Sequence, residues 1–120
     1  MADLTCDLTP WLSWRTDRAW LDANVSWKDF GNGSRIGKLA RNGNVGLVLY
    51  HISADAPDTV FGAHTHTGGE MYLVLEGETY DDDGTYPKGS LVWMRPESRH
   101  LPKTRGDTLI LVLWPDGVRA

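Results

Sequence analysis

The stretch His64-Thr65-His66-Thr67-Gly68-Gly69-Glu70, running on through Met71-Tyr72-Leu73-Val74-Leu75-Glu76-Gly77, decides how this 120-residue chain is read. Residues two apart on a strand share a face, so His64 and His66 present two imidazoles to one side. A straight strand from 64 to 70 would hold its ends about 20 Å apart at roughly 3.3 Å per residue. A single metal ion, with bonds of about 2.0–2.2 Å, cannot span that. Thr67-Gly68-Gly69 is therefore expected to turn the chain and return Glu70 beside the histidines on a neighbouring strand, the paired glycines supplying the freedom to do so. A further ligand must come from elsewhere. Of His51 and His100, the second is preferred because Arg95-Pro96-Glu97-Ser98-Arg99-His100 reads as a turn-rich loop directly after a strand, where functional groups are commonly delivered. One histidine by itself is more often a satisfied side chain than a ligand. The conjunction points to one divalent metal ion per chain, held by His64, His66, Glu70 and His100.

Imidazoles and a carboxylate without thiolate are compatible with Fe(II), Mn(II), Ni(II), Cu(II) or Zn(II), and spacing alone does not choose among them. Tyr72 and Val74 share the parity of Glu70 and are expected to line a substrate pocket. Trp93 or Met94 supplies another wall, and parity leaves open which. His51 is an outer-shell candidate, weighed against the commoner solvated strand residue. The Asp81-Asp82-Asp83 run lacks the further spaced oxygen ligands of a calcium loop and reads as a solvated hairpin tip. Arg95 and Arg99 read as surface charges, with steering of an anionic substrate as the functional alternative.

Outward from this stretch, the chain from Trp27 onward alternates short apolar runs with turn residues, the rhythm of an antiparallel barrel or sandwich. Strands are expected over 34–39, 45–52, 59–66, 70–76, 90–94 and 109–114, the last closing the sheet. Asn42-Gly43 suits a tight hairpin between the first two. Before Trp27 the periodicity fails: Thr9-Pro10 has the form of a helix start, yet residues 11–21 show no helical repeat. The expected organisation is an irregular Trp-rich arm, 1–26, packed on the barrel or on a dimer partner, followed by an all-β domain, 27–120. Four of the six tryptophans fall in the first 27 residues, and exposed aromatic area usually ends in an interface, hence the expected homodimer.

The bulk properties narrow the partners. With 12 basic and 16 acidic residues and a net charge of -4, the chain shows no cationic patch for nucleic acid. A single cysteine, Cys6, forms no internal disulfide. No signal-peptide pattern and no apolar run of membrane-spanning length occurs, so a cytoplasmic protein acting on a small molecule is expected.

The motif spacing resembles that of the cupin superfamily. His64-Thr65-His66, then Glu70, then Gly77 after six residues match its first motif without a gap. The second motif is matched at Gly89 and His100, while Arg95, Glu97 and Thr104 stand where it has Pro, Gly and Asn, and Asp58 replaces an upstream Gly. Leu73-Val74-Leu75-Glu76-Gly77, Tyr86-Pro87-Lys88-Gly89 and Ser98-Arg99-His100 are more narrowly similar to the branch holding ChrR-like zinc anti-sigma factors and acetylacetone-cleaving dioxygenases. The resemblance implies a jelly-roll β-barrel and one of two functions. The first is a non-haem Fe(II) dioxygenase acting on an enolisable, diketone-like substrate; the second is a zinc-binding regulatory or sensor domain without catalysis.

Overall fold

The computed structural model describes residues 18–31, 33–57 and 64–117, with the backbone alone given for Arg18, Phe30 and His64. Among these residues there is one helix, α1 (Arg18–Asn24), and nine strands: β1 (Trp27–Gly31), β2 (Ser34–Asn42), β3 (Val45–Ile52), β4 (His64–His66), β5 (Glu70–Asp81), β6 (Gly84–Pro87), β7 (Leu91–Met94), β8 (Ser98–His100) and β9 (Lys103–Trp114). Seven form an antiparallel sheet in the order β1-β2-β3-β9-β5-β6, with β7 also on β5, and β4 pairs with β8 in a separate ribbon. This is the expected all-β class, a jelly roll whose barrel is not closed by strand pairing. No described helix is long and apolar enough to cross a membrane.

Local chemistry explains most boundaries. The β2–β3 hairpin pairs Asn42 with Val45, so its two-residue turn is Gly43-Asn44, one position later than Asn-Gly pairing implies. The β5–β6 hairpin pairs Asp81 with Gly84 across Asp82-Asp83. The segment 109–114 does not close the sheet as expected: β9 is central, between β3 and β5, and is apolar on both faces because both are covered. The stretch expected to be irregular before Trp27 contains α1, whose Leu21 is 1 % exposed against Leu49, Leu75 and Leu109. Seven residues give too few turns for a helical period to show in sequence. Residues 1–17 and 58–63, which include Thr9-Pro10, Trp11, Trp14, Asp58 and the start of the expected strand 59–66, lie outside the described residues.

The large sheet is thus buried on both sides. Its inner face carries Val48, Tyr72, Val74, Val92, Ile110 and Val112. Its outer face carries the Leu49, Leu75 and Leu109 cluster under α1. Strand β5 serves both by ordinary alternation, with Tyr72 and Val74 on one face and Leu73 and Leu75 on the other, and its register against β9 shifts between Val74 and Glu76 and again between Glu76 and Glu78. Inward positions are even-numbered up to Val74, with Leu75 outside as alternation requires, whereas beyond the shifts Thr79 lies inside, its Oγ1 2.9 Å from the Tyr72 hydroxyl. Gly77 sits in this irregularity at φ +74°, where a Cβ would fall 2.4 Å from Thr108 Oγ1 and 2.6 Å from the Asp107 carbonyl. No residue with a side chain fits there.

Candidate metal centre

His66, Glu70 and His100 each offer a ligand atom within 4.8 Å of the others. His66 Nε2 lies 3.1 Å from Glu70 Oε2, and the His66 and His100 rings meet edge to face at 4.5 Å. His66 and Glu70 are 0 % and 6 % exposed. Two imidazoles and a carboxylate, converging and removed from solvent, are the donor chemistry a borderline-to-hard divalent ion selects. The chain therefore fits one metal at this place.

The elements that deliver these groups differ from expectation in two respects. Thr67-Gly68-Gly69 does turn the chain, with Gly69 N donating to the His66 carbonyl at 3.3 Å, but it does not join two paired strands. β4 pairs with β8, whereas β5 pairs with β7 and β9, so the turn passes the chain from the ribbon to the large sheet. Gly69 has φ +90°, and a Cβ there would meet the Trp93 ring at 2.5 Å. His100 comes from strand β8 and not from a loop. The ribbon puts His64 opposite His100 and His66 opposite Ser98, too short a ladder for an alternation signal to show in sequence. The side chain of His64 lies outside the described residues.

Surrounding groups fix the ligands. Ser98 Oγ lies 3.0 Å from His66 Nδ1, which leaves Nε2 facing Glu70. The indole Nε1 of Trp114 donates to Glu70 Oε2 at 2.7 Å. Burial by itself would raise the Glu70 carboxyl, but hydrogen bonding and charge from His66, the Trp114 indole and the charge of His100 outweigh it and hold the group below the usual carboxylate range. Burial, and secondarily the Glu70 charge, push the Tyr50 phenol well above its ordinary value. Arg99 is drawn to Thr65 across the ribbon at 3.0 Å, and Arg95 is exposed.

The other expected site residues separate by face. Tyr72 and Val74 point inward as parity requires, and both are packed in the inner cluster. Met94 packs on that cluster, whereas Trp93 is 52 % exposed on the outer face, where it lies against Gly69. His51 is neither solvated nor beside the cluster. It is 4 % exposed on the opposite face of β3 from Tyr50, accepting at Nδ1 from Arg35 Nε at 3.1 Å and lying 3.0 Å from Asp107 through Nε2. Arg35 in turn bridges to Asp22 of α1 and stacks on Trp27. An open cleft of about 290 Å³ lies on the inner face beside Trp114, with Ile36 and Val48 in its wall and Lys38 and Arg41 at its rim. Sequence reasoning missed Trp114, Ser98 and Asp81. Trp114 carries no motif, Ser98 stands out only as part of Ser98-Arg99-His100, and Asp81 lies past the expected strand 70–76 in what reads as a solvated hairpin tip.

A jelly roll carrying this cluster on its inner face defines a cupin with a candidate single-ion site. The chain belongs to the ChrR cupin-like domain family, which matches residues 16–115. Among solved structures, a chain of the Rhodobacter sphaeroides SigE complex with the anti-sigma ChrR is similar with TM-score 0.67 and 24 % identity, over 80 % of this chain and 53 % of that one. This chain thus spans about half the length of that relative. A putative acetylacetone dioxygenase from Methylibium petroleiphilum is similar with TM-score 0.67 and 18 % identity, over 83 % and 76 % of the two chains. The acetylacetone dioxygenase of Acinetobacter johnsonii is similar with TM-score 0.66 and 14 % identity, over 78 % and 68 %. No curated protein matches in sequence.

Proposed function

We propose that the chain binds one divalent metal ion through His66, Glu70 and His100, with His64 as a fourth ligand from strand alternation, and acts on a small enolisable molecule as a non-haem Fe(II) dioxygenase. The observation that carries the metal reading is the buried convergence of the three ligand atoms within 4.8 Å. A bound ion would supply Lewis acidity and, as iron, a place for dioxygen. The chain's own contribution is to hold Glu70 ionised through Trp114, to orient His66 through Ser98, and to offer the cleft beside Trp114. The cationic rim of Lys38 and Arg41 there suits an enolate or carboxylate with an apolar body.

A second reading has its own support: the family match and the carboxylate in the ligand set favour a zinc-binding regulatory domain. Elemental analysis of protein purified without added metal, followed by anaerobic ferrous reconstitution and oxygen-uptake assays with β-diketones, separates the two. Iron-dependent uptake supports the dioxygenase; tight zinc with no uptake supports the regulatory domain. Stoichiometric metal that survives in the His66→Ala, His100→Ala double variant would sink both. The expected dimer and cytoplasmic location belong to the same proposal and are tested by sedimentation and by cell fractionation.

A further inference from the structure

Asp81 stands at the end of β5 in a run of three aspartates that sequence reading takes for a solvated hairpin tip. Asp82 and Asp83 are exposed, but the Asp81 side chain is only 5 % exposed. The register shifts in β5 are the cause, since they bring Thr79 and Asp81 to the inner face that Tyr72 and Val74 occupy before them. The two carboxylate oxygens have different neighbours. Oδ1 accepts from the backbone N–H groups of Asp83 at 2.9 Å and Gly84 at 3.2 Å, with the Tyr86 hydroxyl at 3.5 Å. Oδ2 faces Nδ1 of His100 at 3.6 Å, and the His100 side chain is also 5 % exposed.

We propose, resting on the metal reading above, that Asp81 is a positioning residue for the ion site: it anchors the β5–β6 turn through Oδ1 and, through Oδ2, orients the His100 imidazole and keeps its proton on Nδ1. The nitrogen left for the ion is then Nε2. A buried carboxylate beside Nδ1 favours the tautomer with a proton there. At 3.6 Å the attraction is electrostatic; a hydrogen bond needs a small closing movement of the kind that ligand binding brings about. Because the same carboxylate holds the hairpin, its position is set by the backbone of the turn.

The test uses the full chain. In the metal-free wild-type protein, ¹⁵N–¹H NMR of the histidine rings is expected to show His100 as the Nδ1–H tautomer; finding Nε2–H there overturns the proposal without any variant. Asp81→Asn keeps an oxygen for the turn but sets an amide donor against Nδ1. It is expected to keep its fold by circular dichroism, to move His100 to the Nε2–H tautomer, and to bind Zn(II) about 10- to 100-fold more weakly. Asp82→Asn, one residue away and exposed, is expected to bind Zn(II) like wild type. Zn(II) affinity of Asp81→Asn within twofold of wild type overturns the role. A wild-type chain that takes up no metal sinks the metal reading, and with it the role at an ion, whatever the tautomer shows.

Discussion

Trp114, last residue of β9, places its indole N–H 2.7 Å from Oε2 of Glu70, first residue of β5, so that the candidate ligand is held by a side chain 44 positions away. A hydrogen bond to an ionised group contributes about 1.5–3 kcal/mol. Trp114→Phe keeps most of the packing against Tyr50, whose ring lies 6.1 Å away, and removes the donor. It is expected to destabilise the metal-free protein by that amount in urea titrations and to weaken Zn(II) binding in calorimetry.

Glu70 makes stability pH-dependent with a definite sign. Its carboxyl is depressed in the folded chain, so the folded state binds this proton less readily than the unfolded one. The stabilisation is present above the unfolded carboxylate range of about 4.3 and is lost as pH falls through the lower folded value. Thermal melts of metal-free protein from pH 6 down to pH 2 are expected to show a fall that Glu70→Gln shallows. An unchanged slope in that variant would refute the assignment.

Glu97 has φ +63°, the described non-glycine residue in left-handed backbone, and its N–H donates to the His66 carbonyl at 2.7 Å. It stands where the second cupin motif has glycine, the residue that adopts such backbone without a steric cost. Left-handed backbone costs a residue with a side chain roughly 1–2 kcal/mol, partly offset on return to glycine by the greater freedom of the unfolded chain. Glu97→Gly is expected to stabilise by about 0.5–1 kcal/mol. Gly77→Ala, strained and obstructed at once, is expected to destabilise by roughly 3 kcal/mol. Denaturant midpoints of the pair check both signs.

His51 is expected to matter for stability and not for metal. Its bonds to Arg35 and Asp107 lie on the outer face, and Arg35 ties them to α1 through Asp22. His51→Ala leaves these groups short of a partner at a cost of about 1–3 kcal/mol. Metal stoichiometry in that variant should equal wild type; its loss would place His51 in the site.

What could be read from the chain depended on how far apart the interacting residues are in sequence. His66 and Glu70 lie four positions apart, so spacing and bond lengths alone required a turn, and the alternation from Glu70 to Val74 pointed the side chains correctly. His100 was legible as a residue type in a motif, but its strand was not, because three residues pairing with three others leave no pattern. Beyond Val74 the count by twos fails at the irregularity that Gly77 makes possible, and Asp81, in an aspartate run past the expected strand 70–76, reads as part of a solvated hairpin tip. The two faces of β3 are both apolar enough to be buried, so sequence alone could not assign His51 to the outer one.

The strands β4 and β8 pair only with each other among the described residues, and their ribbon supplies His66 and His100, while Glu70 belongs to the seven-stranded sheet. An ion gripped by all three is a rivet through a seam that no strand ladder crosses. Its occupancy and the closure of that seam are then one linked equilibrium, each favouring the other by the same free energy. Withdrawing such an ion would loosen the ribbon, and a partner that felt the ribbon would learn the state of the metal without touching it. The two proposed readings, catalyst and sensor, would use the same rivet and would differ in whether a substrate or a neighbouring protein responds to it.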